Sequence, residues 1–168
     1  HLLLAKSVLP SYANEDEFDS LLIDVDVEIA GERRDLYLLS DEERIRIFEP
    51  WVDAVARIED ATGQFHVEWM LSGSKGFWVQ VFFEKPGTRE DGRKIREAII
   101  CSLDTHVASG TSPGPTVHYD DIIYTIDRDN LGSNVCRIPW SLHQSTQNVS
   151  INLNPSTGQP DLYQFVDT

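Results

Sequence analysis

No stretch of this 168-residue chain approaches the roughly 20 consecutive apolar residues that a membrane-spanning helix needs, so no membrane partner is expected. The opening Leu2-Leu3-Leu4 is too short for a secretory leader and lacks its cleavage pattern. Cysteine is scarce: Cys101 and Cys136 stand far apart, with no CxxC pair or Cys/His cluster. That excludes the usual zinc spacings and points to two reduced core cysteines in an intracellular, cytoplasmic protein. Positive charge is also scarce, 14 Lys and Arg against 28 Asp and Glu, for a net charge of −14. Such a balance excludes a simple nucleic-acid-binding module, which needs a cationic surface for phosphate contacts. The deficit is uneven: residues 1–60 hold 6 basic against 16 acidic residues, and residues 61–168 hold 8 against 12. Any nucleotide or nucleic acid must therefore meet a local cationic site in the second part. With 4 Lys against 10 Arg, the composition also fits a high-salt cytoplasm.

What is present is a globular composition, 40% hydrophobic with 10% aromatic. One compact domain over residues 1–168 is expected from the length. The most informative stretch is Leu21-Leu22-Ile23-Asp24-Val25-Asp26-Val27-Glu28. In a strand, Asp24, Asp26 and Glu28 share one face while Ile23, Val25 and Val27 share the other. A wet acidic edge strand and a claw for a divalent cation both account for this segment taken alone.

Around that strand the pattern predicts a connector or short helix over residues 2–10, an acidic turn at 14–19 and a strand over 21–29. A turn at Gly31-Glu32 leads to a second hairpin strand over 35–39. Ser40 with Glu43 forms a capping box opening a helix with an apolar stripe at Ile45, Phe48, Val52, Val55 and Ile58. Pro50 predicts a kink or break near Glu49. Strands follow at 65–71 and 76–83, the second ended by Pro86-Gly87, then a helix over 89–108 with Ile95, Ile99 and Leu103 on one face. A Gly/Pro/Ser loop at 109–115 precedes strands at 122–127, 135–138 and 149–153, and the tail after 154 is turn-rich. The order strand, helix, strand, strand, helix, strand predicts an α+β fold, an RRM-like split βαβ palm with a mixed or antiparallel sheet and helices on one face.

Three further segments carry chemistry. Ser72-Gly73-Ser74-Lys75-Gly76 joins two strands with small residues around one lysine, suited to an anion, although a plain hairpin turn with an exposed lysine has the same composition. Asp127 ends an apolar strand. Beside the first strand it would be a third carboxylate, enough for two metal ions about 4 Å apart; otherwise it caps a turn. Arg137-Ile138-Pro139-Trp140-Ser141-Leu142-His143 sets a guanidinium, a hydroxyl and an imidazole around a rigid proline, groups able to reach a triphosphate. The basic cluster Arg89, Arg93, Lys94 and Arg96 reads equally as a template contact or as a solvated helix face paired with Glu90, Asp91 and Glu97.

These segments, in this order, resemble the archaeo-eukaryotic primase superfamily, which includes the small catalytic subunit of DNA primase, the primase-polymerases and the polymerase domain of bacterial end-joining ligases. Leu21 to Asp26 matches the family's hhhDhD strand. Ser72 to Trp78 matches its Ser-Gly-x-Arg/Lys-Gly-x-His segment, and Ile126-Asp127 its hD strand. Arg137 to His143 matches its Arg-x-Pro-x-Ser-x-His segment. The resemblance spans about residues 18–153. It implies a two-metal nucleotidyltransferase that synthesises or extends primers on a DNA template, with Asp24, Asp26 and Asp127 holding two Mg²⁺ or Mn²⁺ ions and no zinc. Ser72, Lys75, Arg137, Ser141 and His143 would bind the NTP or dNTP, and Arg89, Arg93, Lys94 and Arg96 the template. Helicase or other replication and repair proteins are the implied further partners, in a nucleoid or mobile-element setting.

The chain departs from the pattern at Trp78, where the family has a phosphate-contacting histidine, so Trp78→His is expected to keep or raise activity. A non-catalytic nucleotide- or nucleic-acid-binding module on the same fold is the alternative. A DxD-dependent glycosyltransferase gives no account of the Arg137 to His143 segment.

Overall fold

Alternation of side chains decides the first strand, β1 (Glu17–Ile29). Ile23, Val25 and Val27 are buried in the core, while Asp24, Asp26 and Glu28 on the opposite face are half-buried. The computed structural model describes residues 17–63, 65–103, 107–108, 116–127 and 141–161. The expectations for residues 1–16, 109–115, 135–138 and 162–168 lie outside them.

The described elements continue as α1 (Asp41–Thr62), β2 (Phe65–Leu71), β3 (Gly76–Thr88), α2 (Arg89–Ser102), β4 (Val107–Ala108), β5 (Thr116–Tyr119), β6 (Ile122–Ile126), β7 (Ile151–Asn154) and β8 (Gln159–Pro160). The strands form one sheet in the order β4-β5-β6-β1-β3-β2-β7-β8. Every described pairing is antiparallel. At its centre lies β6-β1-β3-β2, the α+β split βαβ arrangement that the sequence predicts, with the sheet antiparallel rather than mixed. No described helix is long and apolar enough to cross a membrane.

Aromatic packing joins α1 to the sheet. Val25 pairs with Phe77 and Val27 with Tyr124 across the strands, setting both rings on the helix-covered face. Phe48 meets Phe77 with centroids 4.5 Å apart, and Trp51 meets Phe77 at 5.5 Å and Tyr124 at 5.7 Å. The Tyr124 hydroxyl donates to the Ile47 carbonyl at 2.7 Å, and burial pushes its pKa well above the ordinary tyrosine value. The second helix lies beside the first, where the Ser102 hydroxyl donates to the Ala54 carbonyl at 3.3 Å.

Several local expectations are corrected. The first strand begins at Glu17, inside the expected acidic turn, and its first residues pair with the far end of β3. Pro86 does not end β3. The register passes from Ser20 opposite Phe82 to Phe18 opposite Gly87, and the proline, which has no N–H for a ladder, falls in the stretch that this bulge skips. Residues 35–39 form no hairpin strand: the Asp35 carboxylate accepts the Tyr37 N–H at 3.0 Å and caps a 3₁₀ turn, Leu36–Leu38. Helix α1 runs through Pro50 unbroken. The Ser40–Glu43 capping box at its start and buried Ile47, Phe48, Trp51, Ala54 and Val55 on both sides outweigh the roughly 3 kcal/mol that an interior proline costs.

Helix α2 stops at Ser102 instead of continuing to 108. There the Arg57 guanidinium donates to the Ser102 hydroxyl at 3.0 Å and also to its carbonyl, and Val107–Ala108 pairs with β5. The last expected strand sits two residues later, at Ile151–Asn154. Cys101 is an exposed free thiol, not a core residue, because it lies on the α2 face opposite Ile99 and Leu103; Cys136 lies outside the described residues.

Candidate active site

Asp24 and Asp26 lie on the face of the sheet away from the two helices. Asp24 and Asp26 are two residues apart on β1, about 6.8 Å along the strand. Asp127 follows β6 directly and is exposed. Val25 opposes Ile126 and Asp26 opposes Thr125, so one further step sets Asp127 opposite Asp24. The Asp127 N–H donates to the Asp24 carbonyl at 3.1 Å, which fixes that juxtaposition. Cross-strand neighbours of this kind have Cβ atoms roughly 4.5–5.5 Å apart.

On the other side of β1, Asp26 opposes Gly76 and Asp24 opposes Trp78. A Cβ at position 76 would lie 2.6 Å from the Val25 carbonyl oxygen and 3.0 Å from Asp26 Oδ1, so only glycine lets β3 come this close to the carboxylate. The Lys75 Nζ lies 2.8 Å from Asp26 Oδ2. Its carbonyl accepts the Val27 N–H at 3.0 Å, and the Ser74 carbonyl accepts the Leu36 N–H at 3.0 Å, so both β1 and the 3₁₀ turn hold the β2–β3 loop. The Ser72 hydroxyl is buried and donates to the Gly76 carbonyl at 2.9 Å. It closes the loop, and its proton is not directed at a ligand.

The segment at 141–150 lies against the same loop. Gly73 has φ +107°, and a Cβ there would lie 2.8 Å from the His143 Cβ. The Gly73 carbonyl accepts from the Thr146 hydroxyl at 2.5 Å and from Asn148 Nδ2 at 3.2 Å. Asn148 Nδ2 also donates to Asp35 at 2.9 Å, and the Tyr37 hydroxyl donates to the Val149 carbonyl. His143 Nδ1 faces the N–H groups of Ser145 and Thr146, each at 3.3 Å, with the Ser145 hydroxyl at 3.0 Å. Backbone amides only donate, so Nδ1 is the acceptor and the neutral ring carries its proton on Nε2. Ser141 Oγ is buried and has no hydrogen-bond partner among the described residues. Arg137 lies outside them.

The four basic residues of α2 do not form one surface. Arg93 is exposed and paired with Glu90 at 2.7 Å, which holds the Glu90 carboxyl below its usual range, and Lys94 is exposed. Arg89 opens the helix. Arg96 is only 5% exposed, and its guanidinium donates to the Asp127 carbonyl. A helical wheel shows the reason: Gly92, Arg96, Ile99 and Leu103 share the buried stripe, a signal that reading charge alone passes over. The row Asp24, Trp78, Met70, Asn152 across β1, β3, β2 and β7 was also not legible, because cross-strand register is needed to see it. Trp78 is buried there at 4% exposure.

Among the described residues, no three His, Cys, Asp or Glu side chains are gathered closely enough to hold an ion as they stand. The donor chemistry of Asp24, Asp26 and Asp127 nevertheless suits Mg²⁺ or Mn²⁺, hard cations that take carboxylate oxygens. Joint ligation requires the Asp26 carboxylate to turn away from Lys75.

No family model matches the chain, and no curated protein matches it at the significance required. Among solved structures, the polymerase domain from Mycobacterium tuberculosis ligase D in complex with DNA aligns with a TM-score of 0.47 and 16% sequence identity. The alignment covers 92% of this chain and 47% of that one, so the chain spans about half the length of the structure it matches.

Proposed function

We propose that the chain is a metal-dependent nucleotidyltransferase of the primase-polymerase type, joining NTPs or dNTPs to a strand paired with a DNA template. The observation that carries this reading is the bond from Asp127 to Asp24, which brings a carboxylate from the far half of the chain beside the Asp24/Asp26 strand. The Lys75 loop and the His143 segment adjoin the same end of the sheet.

In this reading Asp24, Asp26 and Asp127 would hold two Mg²⁺ or Mn²⁺ ions, whose charge, when bound, eases deprotonation of a 3′-hydroxyl and steadies the α-phosphate and pyrophosphate. Lys75 transfers its ammonium from Asp26 to a phosphate oxygen. His143, with Nδ1 already accepting, donates from Nε2 to the triphosphate and does not serve as a base. Ser141 contributes its buried hydroxyl, while Ser72 keeps the loop closed. Arg137 adds a bidentate guanidinium by virtue of its motif. Arg93 and Lys94, with Arg89 at the helix start, are the template contacts, and Arg96 is not among them.

Incorporation of labelled nucleotide on a primed template with Mn²⁺ tests the reading. The native protein is expected to extend the primer and Asp24→Ala to lose that activity. If the native protein is inactive, and Asp24→Ala leaves Mn²⁺ and nucleotide binding unchanged, a non-catalytic binding module replaces the enzyme.

A further inference from the structure

We infer that Arg96 is a positioning residue for Asp127, acting through its backbone; this rests on the nucleotidyltransferase reading above. A guanidinium that is only 5% exposed is costly unless its charge is met by partners. Arg96 directs one guanidinium N–H, on Nη2, at the Asp127 carbonyl, just past the end of β6. A hydrogen bond from a charged donor is roughly twice as strong as a neutral one. The amide on the other side of Asp127 donates to the Asp24 carbonyl at 3.1 Å. The Asp127 backbone is thus held from β1 through its N–H and from α2 through its carbonyl, while the residue is exposed.

With both peptide groups fixed, the direction of the Asp127 Cα–Cβ bond is fixed, and the carboxylate samples few positions relative to Asp24. Arg93, one turn earlier on the same helix, has none of this: it is exposed and paired with Glu90.

The test measures Mn²⁺ affinity without nucleotide, with thermal unfolding as a control, for the native protein, Asp24→Asn, Arg96→Gln, Asp127→Asn and the double variant at 96 and 127. Arg96→Gln is expected to weaken Mn²⁺ binding about 10-fold or more, as loss of a ligand-orienting partner does. The double variant is expected to bind no more weakly than Asp127→Asn alone, because Arg96 acts through that residue. Native affinity in Arg96→Gln, or a loss that persists in full beside Asp127→Asn, overturns the inference and leaves the carboxylate site standing. Mn²⁺ binding indifferent to both Asp24→Asn and Asp127→Asn overturns the site itself. If Arg96→Gln does not fold, Arg96→Met, which keeps an apolar stem in the buried stripe and removes the charge and the donor, is carried through the same cycle and read in the same way.

Discussion

Replacing Lys75 with methionine should tighten Mn²⁺ binding to the nucleotide-free protein and weaken triphosphate binding, two effects of opposite sign from one substitution. The Lys75 ammonium lies 2.8 Å from the Asp26 carboxylate, with 37% and 40% of the two side chains exposed. An ion that takes Asp26 as a ligand must first open this pair, so the strength of the pair counts against the ion. Exposed pairs contribute about 0.2–1 kcal/mol, which corresponds to a roughly 1.4- to 5-fold gain in Mn²⁺ affinity for Lys75→Met. Repulsion between the ammonium and the ion acts in the same direction and is screened beyond about 8 Å at physiological salt, so the gain should be larger at low ionic strength. With a non-hydrolysable triphosphate the sign reverses. Loss of a charged hydrogen bond costs about 1.5–3 kcal/mol, or roughly 10- to 150-fold in affinity. Free Mn²⁺ followed by electron paramagnetic resonance, at two salt concentrations and with and without the nucleotide, measures both effects. A fall in nucleotide-free Mn²⁺ affinity would refute the reasoning, since it would mean that Lys75 holds Asp26 in its ligating position instead of competing for it.

Gly76→Ala should lower stability by about 1–3 kcal/mol, because its Cβ would press on the Val25 carbonyl oxygen at 2.6 Å. At roughly 2–4 °C per kcal/mol, calorimetry should show a clear fall in Tm, and an unchanged Tm would show that β1 and β3 separate freely. Trp78→His should also destabilise, by about 2–4 kcal/mol, somewhat less than truncation of a buried tryptophan to alanine. Burial against Met70 therefore revises the expectation of unharmed activity, and a variant with native Tm and raised incorporation would restore it. Acid should unfold the protein partly through its two helix caps. The Ser40 backbone N–H, followed by Arg34 and the Ser40 hydroxyl, holds Glu43 below its usual pKa, and Thr88 does the same for Asp91. A depressed folded value means stability that is present in full above the unfolded value and lost as pH falls through the folded one. The loss should begin near the ordinary carboxylate values of about 4 and continue below them, and Glu43→Gln should blunt it in circular dichroism.

The elements legible in the sequence are those whose period and boundary signals agree. The first strand shows strict alternation from Ile23 to Glu28, and α1 shows both a capping box and an apolar stripe, so the strand covers the expected stretch, extended back to Glu17, and the helix starts at its capping box. The errors occur where one local rule meets tertiary contacts it cannot see. Pro50 is a breaker by local rule, but the aromatic cluster of Phe48, Trp51 and Phe77 holds the helix on both sides of it. Pro86 ends a strand by local rule, but the bulge removes it from the ladder. Residues 35–39 alternate well enough for a strand, but the Asp35 side chain satisfies the Tyr37 amide locally, and the segment turns instead.

The site divides along the same line. Asp24 and Asp26 are legible because period-two alternation alone puts them on one face. That Asp127 lies beside them depends on the register of β6 against β1, which no spacing within either segment encodes; only the motif order suggested it. Arg96 shows the converse. Grouped by charge with Arg89, Arg93 and Lys94 it reads as surface, yet the stripe of Gly92, Ile99 and Leu103 was visible in the same residues and places it inside. A cation on the buried stripe of an amphipathic helix needs an oxygen partner in the fold, and in this sheet the partner is the carbonyl at the end of the strand that brings in the third carboxylate. Periodicity and charge together would therefore have located both the buried cation and the need for an acceptor opposite it, though not which strand end supplies it.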